Sequence, residues 1–179
     1  MDIRPVRPSD AEALAEIYNY YIQSTLFSLE EQPLSPDAFA GRIKSIQAAY
    51  PYLVAEENGT PLGYAYLAPF SPRSAYRKTA DVSLYVAASA RGKGIGKALY
   101  LALEEAGRNR GLENLVAIIT SANETSLAFH LKMGFTTVGR LPGVGYKFGT
   151  YADVLYCQKR LLPPTNLTGE KGNPLWQPL

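Results

Sequence analysis

Between a strand-like run, Asp81-Val-Ser-Leu-Tyr-Val86, and a helix-like run, Ala98-Leu-Tyr-Leu-Ala-Leu-Glu-Glu-Ala106, the chain reads Arg91-Gly-Lys-Gly-Ile-Gly-Lys97. A glycine turn that opens into a helix leaves the first backbone N–H groups of that helix unpaired and pointed one way. The positive end of the helix dipole lies behind them. Such a strand, turn and helix form a seat for phosphate oxygens and commit the middle of the chain to an α/β arrangement. An ordinary strand-to-helix turn uses the same residue types, so the spacing has to decide.

Two familiar phosphate patterns fail. Counting back from Lys97 puts Arg91 where the Walker loop needs its first glycine, and Ala98 stands where Ser or Thr should follow. The dinucleotide pattern G-x-G-x-x-G started from Gly92 ends on Lys97, and started from Gly94 it ends on Leu99. What fits is R-x-x-G-x-G, filled by Arg91, Gly94 and Gly96.

Composition narrows the ligand. The 179 residues, 46% hydrophobic and 19% charged, suit one globular domain with a real core. A net charge of +2 is too small to argue for nucleic acid, and the basic group Arg73, Arg77, Lys78, Arg91, Lys93 and Lys97 is better matched to a small anion. No run approaches a membrane span and the first residues lack an apolar leader, so no membrane association and a cytoplasmic location are expected. With one His and one Cys, no zinc site can be built from those residues, and no metal is expected. Cys157, in the strand-like Tyr151-Ala-Asp-Val-Leu-Tyr-Cys157, reads as a small buried hydrophobe.

Periodicity gives the order β-α-α-β-β-β-α-β-α-β-β. A first strand spans 3–7. A first helix is expected behind a Ser9-Asp-Ala-Glu12 capping box, with Ala13, Leu14, Ile17, Tyr18 and Tyr21 at helical spacing. Ser35-Pro36 starts a second helix, with 24–33 as the loop between them. Strands at 52–57 and 62–70 flank Asn58-Gly59, a hairpin signal. The strand 81–86 leads to a helix 96–110 closed by Gly111, then an apolar strand 115–120 of the kind buried on both faces. Asn123 caps a helix that Gly134 stops, and strands 136–141 and 151–159 complete a domain expected over 1–162. Residues 163–179 read as a Pro- and Gly-containing tail in which Leu175 and Trp176 could dock.

This order, together with R-x-x-G-x-G and the stretch Asn123-Glu-Thr-Ser-Leu-Ala-Phe-His-Leu-Lys-Met-Gly-Phe135, resembles the GNAT superfamily of acetyl-CoA-dependent N-acetyltransferases from Ile3 to Leu161. The resemblance implies a central, mixed but mostly antiparallel sheet of about seven strands flanked by helices. Ile17-Tyr-Asn-Tyr-Tyr-Ile22, Tyr50-Pro-Tyr-Leu-Val-Ala-Glu56, Ala75-Tyr-Arg-Lys-Thr-Ala-Asp-Val-Ser-Leu-Tyr-Val86 and Val144-Gly-Tyr-Lys-Phe-Gly149 are similar to the phosphinothricin and methionine sulfoximine acetyltransferase branch. It implies acetyl-CoA as co-substrate, held by Leu84, Tyr85, Val86, Arg91, Gly92, Lys93, Gly94, Ile95, Gly96, Lys97 and Asn123. It also implies a small amino-acid-like amine as partner substrate, near Phe27, Arg73, Arg77, Lys78, Val82, Ser83, Tyr146 and Phe148, and a homodimer.

The amine must lose a proton before it attacks a thioester, and a carboxylate can relay that proton. Asp81 is the candidate base. Related enzymes carry Glu there, and the shorter Asp favours a bridging water. Alternation puts Asp81, Ser83 and Tyr85 opposite Val82, Leu84 and Val86. The resemblance assigns the developing oxyanion to a backbone N–H near Tyr85 or Val86, and His130 stands where many relatives use Tyr to protonate the departing thiolate. Each of these has a plain reading as well: a strand-end Asp, a packing His, and surface cations at Arg73, Arg77 and Lys78. Two rivals remain, acetylation of a protein N-terminus or lysine, and a non-enzymatic CoA-binding module. Direct transfer is expected, since one His leaves no Ser-His-acid set.

Overall fold

The computed structural model describes residues 1–162. The tail and its Leu175 and Trp176 lie outside them. Its elements are β1 (Asp2–Pro5), α1 (Ala11–Ser24), α2 (Pro36–Gln47), β2 (Tyr52–Glu57), β3 (Thr60–Pro69), β4 (Thr79–Val86), α3 (Ile95–Asn109), β5 (Asn114–Thr120), α4 (Glu124–Lys132), β6 (Thr136–Lys147) and β7 (Thr150–Arg160). The strands form one sheet in the order β1-β2-β3-β4-β5-β7-β6, with only the β4–β5 pair parallel. The expected order of elements is the observed one.

Local chemistry explains most boundaries. Asn58 and Gly59 both have positive φ, 51° and 80°, as a two-residue hairpin turn of matching twist requires. The Ser35 hydroxyl accepts the Ala38 N–H at 3.2 Å, and Pro36 sits where no donor is needed. One side of the sheet is covered by α1 and α2, whose Leu14, Ile22, Phe39 and Ile43 meet Tyr52, Val54 and Tyr64. On the other side α3 lays Leu99, Tyr100 and Leu103 over Ala80, Val82 and Val86. Buried Cys157 belongs to that second core, its thiol 3.6 Å from the Thr137 hydroxyl.

Three expectations change. The Ser9–Glu12 capping box does not form. Pro8–Asp10 makes a 3-10 turn instead, and α1 starts at Ala11. Asp10 is claimed by Arg4, at 2.8 Å from each of two guanidinium nitrogens, and accepts the Arg7 N–H at 2.7 Å. Strand β6 runs six residues past Leu141, through Pro142 and Gly143, as an edge strand can when it bulges. The carboxylate of Asp153 holds that bulge, pairing with Arg140 and accepting the Gly143 N–H at 2.8 Å. Finally, β5 is not buried on both faces, because Ile118 is 48% exposed.

Candidate active site

The parallel pair β4–β5 has three rungs, Thr79↔Asn114, Ala80↔Leu115 and Asp81↔Val116, after which the strands part. The gap opens a cleft of about 470 Å³, walled by Val82–Val86 and by Ala117–Ile119. Beside β3, Ala87 donates to Leu62 across the Gly63↔Val86 pair, so the peptide groups of Val86 and Leu84 face away from β3 into the gap, while those of Tyr85, Ser83 and Asp81 pair with β3. The N–H of Tyr85, a sequence candidate for the oxyanion donor, is therefore committed to the sheet. Leu84 and Val86 present the gap-facing groups.

Tyr21 reaches across from α1 to Val86. Its hydroxyl donates to the Val86 carbonyl at 2.6 Å and accepts from the Val86 N–H at 3.4 Å. Its ring lies 5.0 Å from the guanidinium of Arg91, and that of Tyr20 lies 5.3 Å away, so two aromatic faces aim Arg91 at the cleft wall.

Gly92 and Gly94 have φ of 76° and 78°. This left-handed turn is open to glycine at little cost, and it swings the chain so that α3 begins at Ile95 with no side chain capping its first turn. The free N–H groups of Ile95, Gly96 and Lys97 thus end on the cleft that these residues line. Asn123 also lines it, but its side chain accepts the Ser126 N–H at 3.1 Å as the cap of α4. Lys93 is the one residue of the loop's predicted set, with the first-turn backbone aside, that does not reach the cleft wall.

Two acid–base groups belong to the site. Asp81 is on the face that Ser83 and Tyr85 share but below the cleft wall itself. Its Oδ1 is buried with no hydrogen-bond partner among the described residues. Burial pushes its pKa up to about 6. His130 lines the cleft, 6% exposed, between Phe129 and Phe135. Burial drives its pKa below the ordinary 6.5, only partly offset by the Ser126 carbonyl, which accepts from Nδ1 at 2.8 Å. The imidazole is then neutral with its proton on Nδ1, and the unpartnered Nε2 offers a lone pair rather than a proton. That arrangement does not supply the acid expected for a departing thiolate.

The remaining predicted contacts divide. Phe27, Val82 and Ser83 line the cleft. Arg73, Arg77 and Lys78 do not; they are exposed, and Lys78 pairs with Glu113. Tyr146 and Phe148 stand on the β6–β7 hairpin, 59% and 60% exposed. Sequence reading missed Tyr21 as a site residue, having used it as a helix-core position, and passed over Lys147, which is 1% exposed.

A sheet parted between two parallel strands, with an uncapped helix end beside the gap, makes one continuous cleft bordered by free helix N–H groups. Residues 3–156 match the family "Acetyltransferase (GNAT) domain", and the chain belongs to that family of acetyltransferases. It is 38% identical over 161 residues to the phosphinothricin N-acetyltransferase of Alcaligenes faecalis, covering 89% of this chain and 82% of the relative. It is 34% identical to the L-methionine sulfoximine/L-methionine sulfone acetyltransferase of Salmonella typhimurium, covering 90% and 95%. The solved structure of a GNAT superfamily phosphinothricin acetyltransferase from Sinorhizobium meliloti, in complex with acetyl-CoA, superposes with a TM-score of 0.88 at 34% identity, covering 97% of this chain and 95% of that one.

Proposed function

We propose that the protein transfers acetyl from acetyl-CoA directly to the α-amine of a small amino acid or analogue of the methionine sulfoximine, methionine sulfone or phosphinothricin type. One observation carries this reading: a single strand, β4, leads from a buried carboxylate with a pKa of about 6, past open peptide groups, to an uncapped helix end. Base, acyl bench and phosphate seat thus stand in line.

Acetyl-CoA supplies the activated acetyl group and the thiol that leaves. Arg91 and the N–H groups of Ile95, Gly96 and Lys97 suit its diphosphate, and the Leu84 peptide suits its arm. The Val86 N–H, engaged by the Tyr21 hydroxyl only at 3.4 Å, suits the charge that grows on the thioester oxygen, while Tyr21 takes the Val86 carbonyl. Asp81 takes one ammonium proton through a water, since its carboxylate stops short of the cleft wall. A second amine proton, released on attack, balances the departing thiolate, so no protein acid is needed.

The acceptor end offers aromatic and hydroxyl groups but no lining cation from Arg73, Arg77 or Lys78. A homodimer supports amino-acid recognition better than the single chain does. Leu141, Val144, Tyr146, Phe148 and Tyr151 form an exposed apolar hairpin on the open edge of the sheet, suited to a second copy. We place the protein in the cytoplasm, acting without nucleic acid or membrane. The test is acetyl-CoA consumption over a panel of free amino acids, sulfoximines, phosphinothricin and a peptide amine. Phe148 does not line the cleft of its own chain, so a preference for the uncharged sulfoximine over phosphinothricin of roughly 10- to 200-fold in kcat/KM is expected only where a second copy brings that ring to the acceptor. Turnover of the peptide alone would overturn the small-substrate reading.

A further inference from the structure

Lys147 is a cation with no carboxylate at contact distance among the described residues. Its ammonium donates to two carbonyls, Thr25 at 3.0 Å and Ser28 at 2.8 Å, both on the loop between α1 and α2. The Phe148 ring centroid lies 4.7 Å from the same nitrogen. Burial lowers the pKa of this amine, with Glu31 and Glu30 acting against the shift. A methionine would fill similar space without desolvating a charge, but it would release both carbonyls, so what the lysine adds over an apolar side chain is its hold on the loop that carries them.

The carbonyls it holds flank Phe27, which lines the cleft beside Tyr21, their ring centroids 6.3 Å apart. A second contact joins the same two segments. A Cβ on Gly145 would meet Leu29 Cδ1 at 2.7 Å, so the strand gives up a side chain to let that loop close on it. The opposite edge of the loop is tied independently, by the Tyr18 and Ser28 hydroxyls at 3.1 Å, by Glu30 with Arg42, and by Asn19 with both peptide groups of Leu34 at 2.9 Å. Only the side facing the β6–β7 hairpin depends on Lys147 and Gly145.

We infer that Lys147 is a positioning residue for the acceptor amine, fixing loop 25–29 so that Phe27 forms the end wall of the cleft. This rests on the acetyltransferase reading above. It links the hairpin to the choice of acceptor without either hairpin residue lining the cleft. A wall displaced by 1 Å costs on the order of 10²-fold in rate.

The experiment compares Lys147→Met and Gly145→Ala with the unaltered protein, reading acetyl-CoA Kd, acceptor KM, kcat and amide hydrogen exchange at 25–29. Lys147→Met should raise acceptor KM roughly 10- to 100-fold, leave acetyl-CoA Kd within about twofold, and speed exchange in the loop. Gly145→Ala, which pushes only on Leu29, should move the same quantities less, by about 3- to 10-fold. An acceptor KM unchanged in both variants, or an acetyl-CoA Kd that rises as far as the KM, would overturn the inference. If Lys147→Met does not fold, Gly145→Ala decides alone. Should the unaltered protein acetylate no small amine, the functional reading fails by itself, and unchanged loop exchange in the acetyl-CoA complex of the variants would then sink the clamp as well.

Discussion

The two ends of the cleft are built by different means. At the phosphate end, seven consecutive residues, Arg91–Lys97, supply two left-handed glycines, a cation and an uncapped helix start. At the acceptor end, Phe27 comes from the α1–α2 loop, Asp81 and Ser83 from β4, and Lys147 from β6, three separate parts of the chain that act through side chains. The first end binds with groups that every residue carries, and the second with groups particular to each residue. Damage to the first should therefore abolish cofactor binding outright, whereas damage to the second should leave the cofactor bound and spoil the reaction.

The sharpest way to break that division is Gly94→Val. A Cβ at Gly94 has open space, so the cost lies in the backbone: at φ 78° a β-branched residue is strained, and the turn must unwind. Acetyl-CoA at ~100-fold excess over Kd should stabilise the unaltered protein by about 2.7 kcal/mol, and the variant hardly at all; thermal melts with and without ligand read this directly. ATP and NAD should stabilise neither.

Next in size is Asp81→Asn, expected to lower kcat by roughly 10²–10⁴ with acetyl-CoA Kd unchanged. In the unaltered protein kcat/KM should fall below about pH 6, as Asp81 takes up its proton. Stability should move the other way. A carboxyl whose pKa is raised on folding stabilises the native state most below its unfolded value of 3.8, and loses that contribution as pH rises through about 6. At pH 7.5 the Asn variant should thus melt higher. After solvent screening of this partly exposed group the gain is about 1 kcal/mol, or a rise of about 2–4 °C. A variant that is fully active, or one that melts lower at pH 7.5 than at pH 4 relative to the unaltered protein, would show that Asp81 is not a buried base.

Tyr21→Phe tests the junction of the two ends. It keeps the ring beside Arg91 and removes the hydroxyl that engages Val86, so kcat should drop about tenfold while acetyl-CoA Kd stays within about threefold, in line with about 1.5 kcal/mol for one hydrogen bond. Loss of binding instead would mean that Val86 serves the carrier and not the reaction. The smallest effect belongs to Cys157→Ser. It should leave kcat unchanged and cost about 1–3 kcal/mol of stability, because a hydroxyl replaces a thiol inside the core. An inactive but folded variant would reopen a covalent route.

What could be read from the sequence follows the same division. Asn58-Gly59, Ser35-Pro36, the Arg91–Lys97 loop and the Asn123 cap are local devices whose meaning lies within a few residues, and the structure builds each where the pattern put it. Asp10 was legible as a cap neighbour but not as the partner of Arg4 and of the Arg7 N–H, because the ion pair also draws in Glu56 from β2. The strand expected to end at Leu141 continues through Pro142-Gly143 as a bulge, which the place of β6 at the sheet edge permits. Tyr21 looked like helix core, and Lys147 fell between two expected strands. Their partners, Val86 and Thr25, lie 65 and 122 residues away along the chain, and no spacing rule reaches that far.

The peptide groups that line the parted strands have a consequence for descent. A lineage can replace nearly every side chain along this groove and still inherit the handle for the carrier, provided that glycine persists at the turn. Relatives near one-third identity have had room to exchange acceptors while keeping one currency of acyl transfer. Selection for a new amine would then be written in the loop at 25–29 and in the hairpin that grips it, and the peptide-lined half of the cleft would record little of the change.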